Sequence, residues 1–306
     1  MYDVIIIGSG AAGYAAGLYC VRYKLKTLIV GNQRGGQSAL AHDIENYPGF
    51  ISIKGPELMQ KFQEHVIQYG GEVKDDEVID ISQNPDKTFT LSLGLGEKLQ
   101  THTVLLAIGT KRRMLNAPGE RELDGKGITY CATCDGFFFR GKTVAVVGGG
   151  DAAATAALYL AEICPKVYLL VRKEKMRAEP IWIEQIALRQ NIEVLYSTAV
   201  KAFHGTAKLE TVDLSTGRTL DDVKGVFIEI GAEPNTALVD KFELEKDAKG
   251  FLVVNQDQST KIPGLFAAGD ITNLSNHFHQ IATAIGEGSV AANSLFMYRS
   301  AHNDQS

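Results

Sequence analysis

Apolar residues cluster in short runs that keep the same company twice along the chain. Residues 4–7 of "DVIIIGSGAAG" form an unbroken apolar stretch, as expected of a parallel strand buried on both faces. The run stops at a glycine-rich turn. An alanine-rich helix follows through "AAGYAAGLYC", and a second apolar strand, "KTLIV", spans 26–30. The same order returns at "TVAVVGGGDAAATAALYLAEICPKVYLLV", with strands predicted at 143–147 and 166–171. Each copy is later followed by a strand that runs into glycine, "VLLAIGT" at 104–110 and "VFIEIGAEPNT" at 226–236. Near the C-terminus a third segment reads strand, Gly269-Asp270, then helix. The pattern predicts an α/β chain in which a βαβ nucleotide-binding domain is written twice, not a short solenoid repeat.

The turns carry the chemistry. Gly8, Gly10 and Gly13, with Ala11 and Ala12 between them, give G-x-G-x-x-G. The first glycine permits a tight turn, the second lets backbone approach a pyrophosphate, and the third lets helix pack on strand. The helix N-terminus then faces the anion. In the second copy Gly148, Gly150 and Ala153 fill those positions, with Asp151 and Ala152 inside the turn. Strand, helix and second strand in register make each motif far more specific than a lone glycine turn. Two such domains usually hold two different dinucleotides and pass electrons between them. Asp270, after a strand and Gly269, suits a hydroxyl chain such as a ribityl arm; a surface turn is the plainer reading.

Length and composition narrow the class. A chain of 306 residues suits two domains, and a net charge of −5 without basic clusters predicts no nucleic-acid partner. No apolar run approaches the roughly 20 residues of a membrane span. "MYDVIII" has neither a positive n-region nor a cleavage site, so no secretory signal is predicted. Four cysteines (Cys20, Cys131, Cys134, Cys164) are too few for a disulfide scaffold. These features predict a cytoplasmic protein.

Cys131 and Cys134 form a C-x-x-C just ahead of the second glycine motif. Zinc would require a second ligand pair, and neither Cys20 nor Cys164 has a close Cys or His companion. A thioredoxin-like motif would open a helix in its own small domain, whereas this pair precedes a Rossmann strand. Redox use is the remaining possibility. Cys20 and Cys164 lie in apolar helical stretches and read as inert buried thiols.

Together these residues resemble the low-molecular-weight, bacterial-type thioredoxin reductases, FAD-dependent pyridine nucleotide-disulfide oxidoreductases. The matching pieces are "GSGAAG", "RGGQ" at 34–37, "ENYPGF" at 45–50, "CATCDGFF" at 131–138, "GGGDAA" at 148–153, "RAE" at 177–179, "IGAEPNT" at 230–236 and "AAGD" at 267–270. Order and spacing agree over essentially the whole chain. The resemblance implies a split FAD domain, 1–113 and 239–306, with an NAD(P) domain carrying the thiols inserted at 114–238. It implies a homodimer, and a rotation of the inserted domain on hinges near Arg113 and Val239. FAD is implied at Gly8, Gly10 and Gly13, with Gly36, Gln37, Asn46, Gly109, Gly269, Asp270, His279, Gln280 and Ile281 around it. Cys131 and Cys134 become the redox disulfide, Cys134 on the flavin side and Cys131 attacking the partner's disulfide. Asp135 serves as the acid or base that handles the thiol proton, although residue type alone also allows a simple turn. Phe137 and Phe138 seat thioredoxin or a thioredoxin-like protein, with core packing as the alternative.

Three positions depart from the family pattern. The first βαβ unit ends in "GNQ" (31–33) without the acid that often holds the adenosine ribose, and His279 replaces the usual arginine beside Gln280. In the second site the strand ends "YLLVRKEKMRAE". Arg172, Lys173 and Arg177 there suit the 2′-phosphate of NADPH, but Val171 and Lys173 replace the histidine and second arginine of His-Arg-Arg. A solvated basic turn is the plainer reading. The expected reaction runs from NADPH through FAD and the disulfide to thioredoxin. A ferredoxin-type donor, a dithiol oxidase or a non-catalytic flavoprotein are the rivals; the intact second glycine motif speaks against the oxidase, and the thiols with Asp135 against a scaffold.

Overall fold

The computed structural model describes residues 1–41 and 44–303, with the side chains of Thr133, Cys134, Ala232, His277 and Asn303 outside the description. The chain divides into two compact α/β units: Met1–Lys111 with the chain from Glu233 onward, and Arg112–Ala232. Residues 233–238, expected with the inserted segment, thus belong to the first unit. Val239, expected near a hinge, is 1% exposed there and packs with Leu244 and Leu252 in an apolar core. The two units divide between Lys111 and Arg112 and between Ala232 and Glu233.

In the first unit the strand Tyr2–Ile7 lies between Thr27–Val30 and Lys98–Leu106, parallel to both. Glu72–Lys74 extends the sheet on one side, and Leu265–Ala267 pairs parallel with Lys98–Leu106. An antiparallel hairpin, Val78–Gln83 and Phe89–Leu93, completes its seven strands. The period of two explains the apolar run: Val4 and Ile6 enter a core with Tyr14, Cys20 and Leu58, while Ile5 and Ile7 enter another with Phe89, Leu91 and Leu252. Burying each such side chain contributes roughly 1.5–3 kcal/mol. A polar residue on either face of this strand would therefore cost stability. Three helices, Ala11–Arg22, Gly55–Gln68 and Ile281–Asn303, contribute to the first of these cores.

The second unit repeats this logic with five strands, in the order Ile192–Leu195, Val167–Leu170, Thr143–Val147, Val223–Ile228, Ile128–Thr129, every pairing parallel. Val144 and Val146 face the helix Asp151–Ile163, and Ala145 and Val147 face the opposite core. That second core also holds Phe203, Val212 and Leu220 from a three-stranded antiparallel sheet. No described helix is long and apolar enough to cross a membrane.

Candidate active site

In the first unit, Gly8 closes the turn with φ +112°, and a Cβ there would lie 2.1 Å from Ala107 O. A Cβ on Gly13 would lie 1.9 Å from Gly8 O, so helix and strand touch through backbone. Gly10 differs. It is the N-cap of the helix Ala11–Arg22, whose first turn holds no acid, and a Cβ on it would meet only Gly36 Cα, at 4.0 Å. Two glycines therefore face each other across a helix N-terminus and leave a trough that any side chain would fill. Such a trough fits a pyrophosphate. Ala11 and Ala12 are buried behind it.

The remaining residues expected around this dinucleotide come from widely spaced segments of the same unit. Gln37 Nε2 donates to Thr110 O at 2.7 Å and to Thr110 Oγ1 at 2.6 Å, just after Gly109, whose carbonyl takes the Asn235 amide. Asn46 Nδ2 donates to Gln280 Oε1 at 3.0 Å, immediately before the helix that begins at Ile281. The His279 ring lies 5.1 Å from that of Phe251, tilted against it. The Gly269-Asp270 loop is pinned by a residue that pattern reading passed over. Glu287, 8% exposed, takes hydrogen bonds from Gly269 N–H at 2.8 Å, Thr272 Oγ1 at 2.7 Å and Ser275 Oγ at 2.6 Å. Burial, with the Glu287 charge adding, pushes the half-buried Asp270 carboxyl up to about 6. An acid interrupting the small residues of "ATAIGEGSVAA" was the available signal for Glu287.

In the second unit, Gly148 makes the turn with φ +155°, and its missing Cβ leaves room for Glu229 O and for Ala153. Gly150 caps the helix Asp151–Ile163, and a Cβ there would meet nothing within 4 Å. This second cradle is open as well. Asp151 Oδ1 accepts the Glu179 amide at 2.7 Å, and the Arg177 amide donates to Gly149 O. The basic loop after Val167–Leu170 is thereby folded back onto the glycine turn. Ala152 is exposed beside it, as are Arg172, Lys173 and Arg177. Val171 is buried, 2% exposed.

After the strand Ile128–Thr129, Cys131 immediately precedes a single helical turn, Ala132–Asp135, that contains Cys134. Cys131 is disulfide-bonded; the side chain of Cys134 lies outside the described residues. Cys20 and Cys164 are buried free thiols, with burial pushing them up to about 12 and about 11. Both are therefore poor nucleophiles. The Cys131 amide donates to Thr129 Oγ1 at 3.2 Å, and that hydroxyl donates to Asp135 Oδ2. Asp135 is thus tied to the thiol turn through Thr129. Phe137 and Phe138 are 67% and 70% exposed, so core packing does not account for them. Phe139 is the inward member of the trio and meets Phe227 edge-on at 5.3 Å. Among the described residues no group of His, Cys, Asp or Glu is arranged to hold a metal ion.

Two dinucleotide cradles and a disulfide-bonded cysteine in one chain define a dinucleotide-dependent oxidoreductase. The family profile of pyridine nucleotide-disulphide oxidoreductases matches residues 2–288, and the chain belongs to that family. It is similar to the thioredoxin reductase of Treponema pallidum (strain Nichols), 37% identical over 303 residues and covering 97% of each chain. The thioredoxin reductase of Bacillus subtilis (strain 168) is also 37% identical, over 97% of this chain and 95% of the relative. A crystal structure of Lactococcus lactis thioredoxin reductase superposes with a TM-score of 0.92 at 34% identity, covering 97% of this chain and 99% of the other.

Proposed function

We propose that the chain is a thioredoxin-disulfide reductase in which Cys131 and Cys134 are the redox pair. The observation that carries this reading is the disulfide-bonded Cys131, one strand away from the Gly148–Gly150 cradle. The first unit, with its Gly10–Gly36 trough, would hold FAD. Asn46, Gln280, Gln37 and Asp270 would orient it, and the glycine turn would hold its pyrophosphate. The second unit would hold NADPH at Gly150, with Arg172, Lys173 and Arg177 at the 2′-phosphate. Bound flavin supplies two-electron chemistry between nicotinamide and disulfide.

The chain's own residues do the rest. In this reading Cys134 would take the electrons from the flavin and Cys131 would attack the disulfide of the partner protein. Asp135, fixed by Thr129, gives or takes the thiol proton. Exposed Phe137 and Phe138 offer an aromatic seat for thioredoxin or a thioredoxin-like protein. A homodimer belongs to the same reading; Tyr19, Val290 and Met297 are large apolar side chains left exposed on two helices of the first unit. The test is anaerobic addition of NADPH to the purified yellow protein, followed by oxidised thioredoxin. Bleaching by NADPH and recovery with thioredoxin is the expected result. Bleaching without recovery would reject the disulfide-reductase reading. A flavin that only reduced ferredoxin bleaches would move the donor and leave the thiol chemistry in place.

A further inference from the structure

A lone carboxylate follows an inner, apolar strand of the second unit, Val223–Ile228. Glu229 follows Val226, Phe227 and Ile228, all at most 2% exposed. On one side of this strand Val226 lies opposite Ile128 and Phe227 opposite Thr129. Continued for two residues, that parallel register brings Glu229 level with Cys131. On the other side the Glu229 amide donates to Val147 O at 2.8 Å, next to the Gly148 turn. Glu229 therefore stands between the thiols and the glycine cradle.

Its neighbours are few. The carboxylate accepts the amide of Ala132, the first residue of the thiol turn. Half-buried Arg112 attracts Glu229 first and Asp135 second, and Asp135 is linked through Thr129 to the Cys131 amide. The flanking glycines 148–150 bring no titratable side chain, and Ala153 lies behind Gly148. Arg112 is the charged group that acts on Glu229; Asp135 acts on the same Arg112, and Cys131 lies level with Glu229 in the register. Burial pushes its carboxyl up to about 7, against the lowering effect of Arg112 and the Ala132 amide.

We propose that Glu229, in the field of Arg112, is a positioning residue that balances the charge of the Cys131 thiol, taking up a proton when the disulfide is reduced and releasing it on reoxidation. The inference rests on the disulfide-reductase reading above. A two-electron donor, the nicotinamide-fed flavin of that reading or a small dithiol, breaks the S–S bond. One sulfur takes a proton and becomes a thiol, while the Cys131 sulfur remains a thiolate. A second proton, from water, neutralises the Glu229 carboxylate, so the negative charge beside Arg112 is unchanged. Reoxidation runs the same steps backwards.

The test uses the full protein, reduced with dithiothreitol, desalted anaerobically and alkylated with iodoacetamide from pH 5 to 9. Modification of Cys131 is followed by peptide mass. Glu229→Gln keeps an acceptor for the Ala132 amide but removes the charge, so alkylation at pH 7 should rise about threefold to tenfold. Arg112→Gln should slow it by a similar factor. The dithiol midpoint potential of Glu229→Gln should also depend less steeply on pH between about 6 and 8. Superimposable profiles for wild type and Glu229→Gln, or shifts of one sign in both variants, would overturn the proposal while leaving the reductase reading intact. A wild-type Cys131 that stays unreactive after reduction would overturn both.

Discussion

Asn46 and Gln280 stand 234 positions apart in the chain and are joined by a 3.0 Å hydrogen bond, Asn46 Nδ2 to Gln280 Oε1. Both are side chains expected against the flavin, so each can fix the other in place for it. Asn46→Ala should weaken FAD retention about fivefold to tenfold, roughly 1 kcal/mol. Gln280→Ala should do the same. The double variant should lose less than the sum, because each single change already breaks the shared bond. Flavin fluorescence titration of the cofactor-free protein measures all three.

Asp270 gives a pH-dependent expectation. Its carboxyl is raised from 3.8 to about 6 in the folded chain, first by burial and then by the Glu287 charge. A raised carboxyl pKa means the folded state holds the proton more tightly. The stability it contributes is complete below the unfolded value and is lost as pH rises through about 6. Asp270→Asn should therefore stabilise the cofactor-free protein at pH 8 by about 1–3 kcal/mol, and much less at pH 4. Thermal melts at the two pH values decide it; an equal gain at both would show that charge is not the cause.

The thiols separate by burial. Cys131→Ser should abolish thioredoxin reduction while leaving flavin bleaching by NADPH near the parent rate. Cys20 is 0% exposed inside a core with Tyr14 and Leu58. Cys20→Ser should thus leave turnover per folded molecule unchanged yet cost about 1–2 kcal/mol of stability, because a hydroxyl there loses its water. A Cys20→Ser variant with parent stability but reduced turnover would reverse the assignment.

Much of this arrangement is legible in the chain. The runs at 4–7 and 143–147 read as two-faced strands because their residues alternate between two apolar cores, and an unbroken run is the signature of that burial. The strand expected at 166–171 is shorter, Val167–Leu170, because the chain turns at Val171 towards the exposed basic loop. Pairings such as Asn46 with Gln280, or Gln37 with Thr110, were not legible from periodicity: they join loops, and loops have no period. Glu229 and Glu287 are acids set in apolar or small-residue runs, a signal the pattern reading passed over. What each acid faces depends on register and packing across segments, which one strand's sequence does not specify.

The aromatic trio after the thiols offers a comparison within three residues. Phe138→Ala should raise the KM for thioredoxin about tenfold and spare a small disulfide reagent, with little change in melting temperature, since the ring is 70% exposed. Phe139→Ala should instead cost about 3 kcal/mol of stability, because its ring packs on Phe227 and the second unit's core. Equal losses with both substrates in Phe138→Ala would show that the ring supports the thiol turn rather than the partner.

The choice of nicotinamide turns on the loop after Val167–Leu170. Arg172, Lys173 and Arg177 are all exposed there, and among the described residues no carboxylate pairs with them. The Arg177 amide bond to Gly149 O keeps this loop on the glycine turn, where a 2′-phosphate would emerge beside the adenosine. Arginine can meet that phosphate with two parallel hydrogen bonds. Val171 is buried and offers it nothing, and Lys173 brings a single point charge. NADPH should therefore bind better than NADH, with Arg177→Ala weakening NADPH about tenfold, near 1.4 kcal/mol, and leaving NADH unchanged. Raising the salt should erode the NADPH preference, because all three cations are open to solvent. Anaerobic bleaching of the flavin band by each nucleotide, on parent and variant, is the measurement; faster bleaching by NADH would assign these cations to the solvated surface.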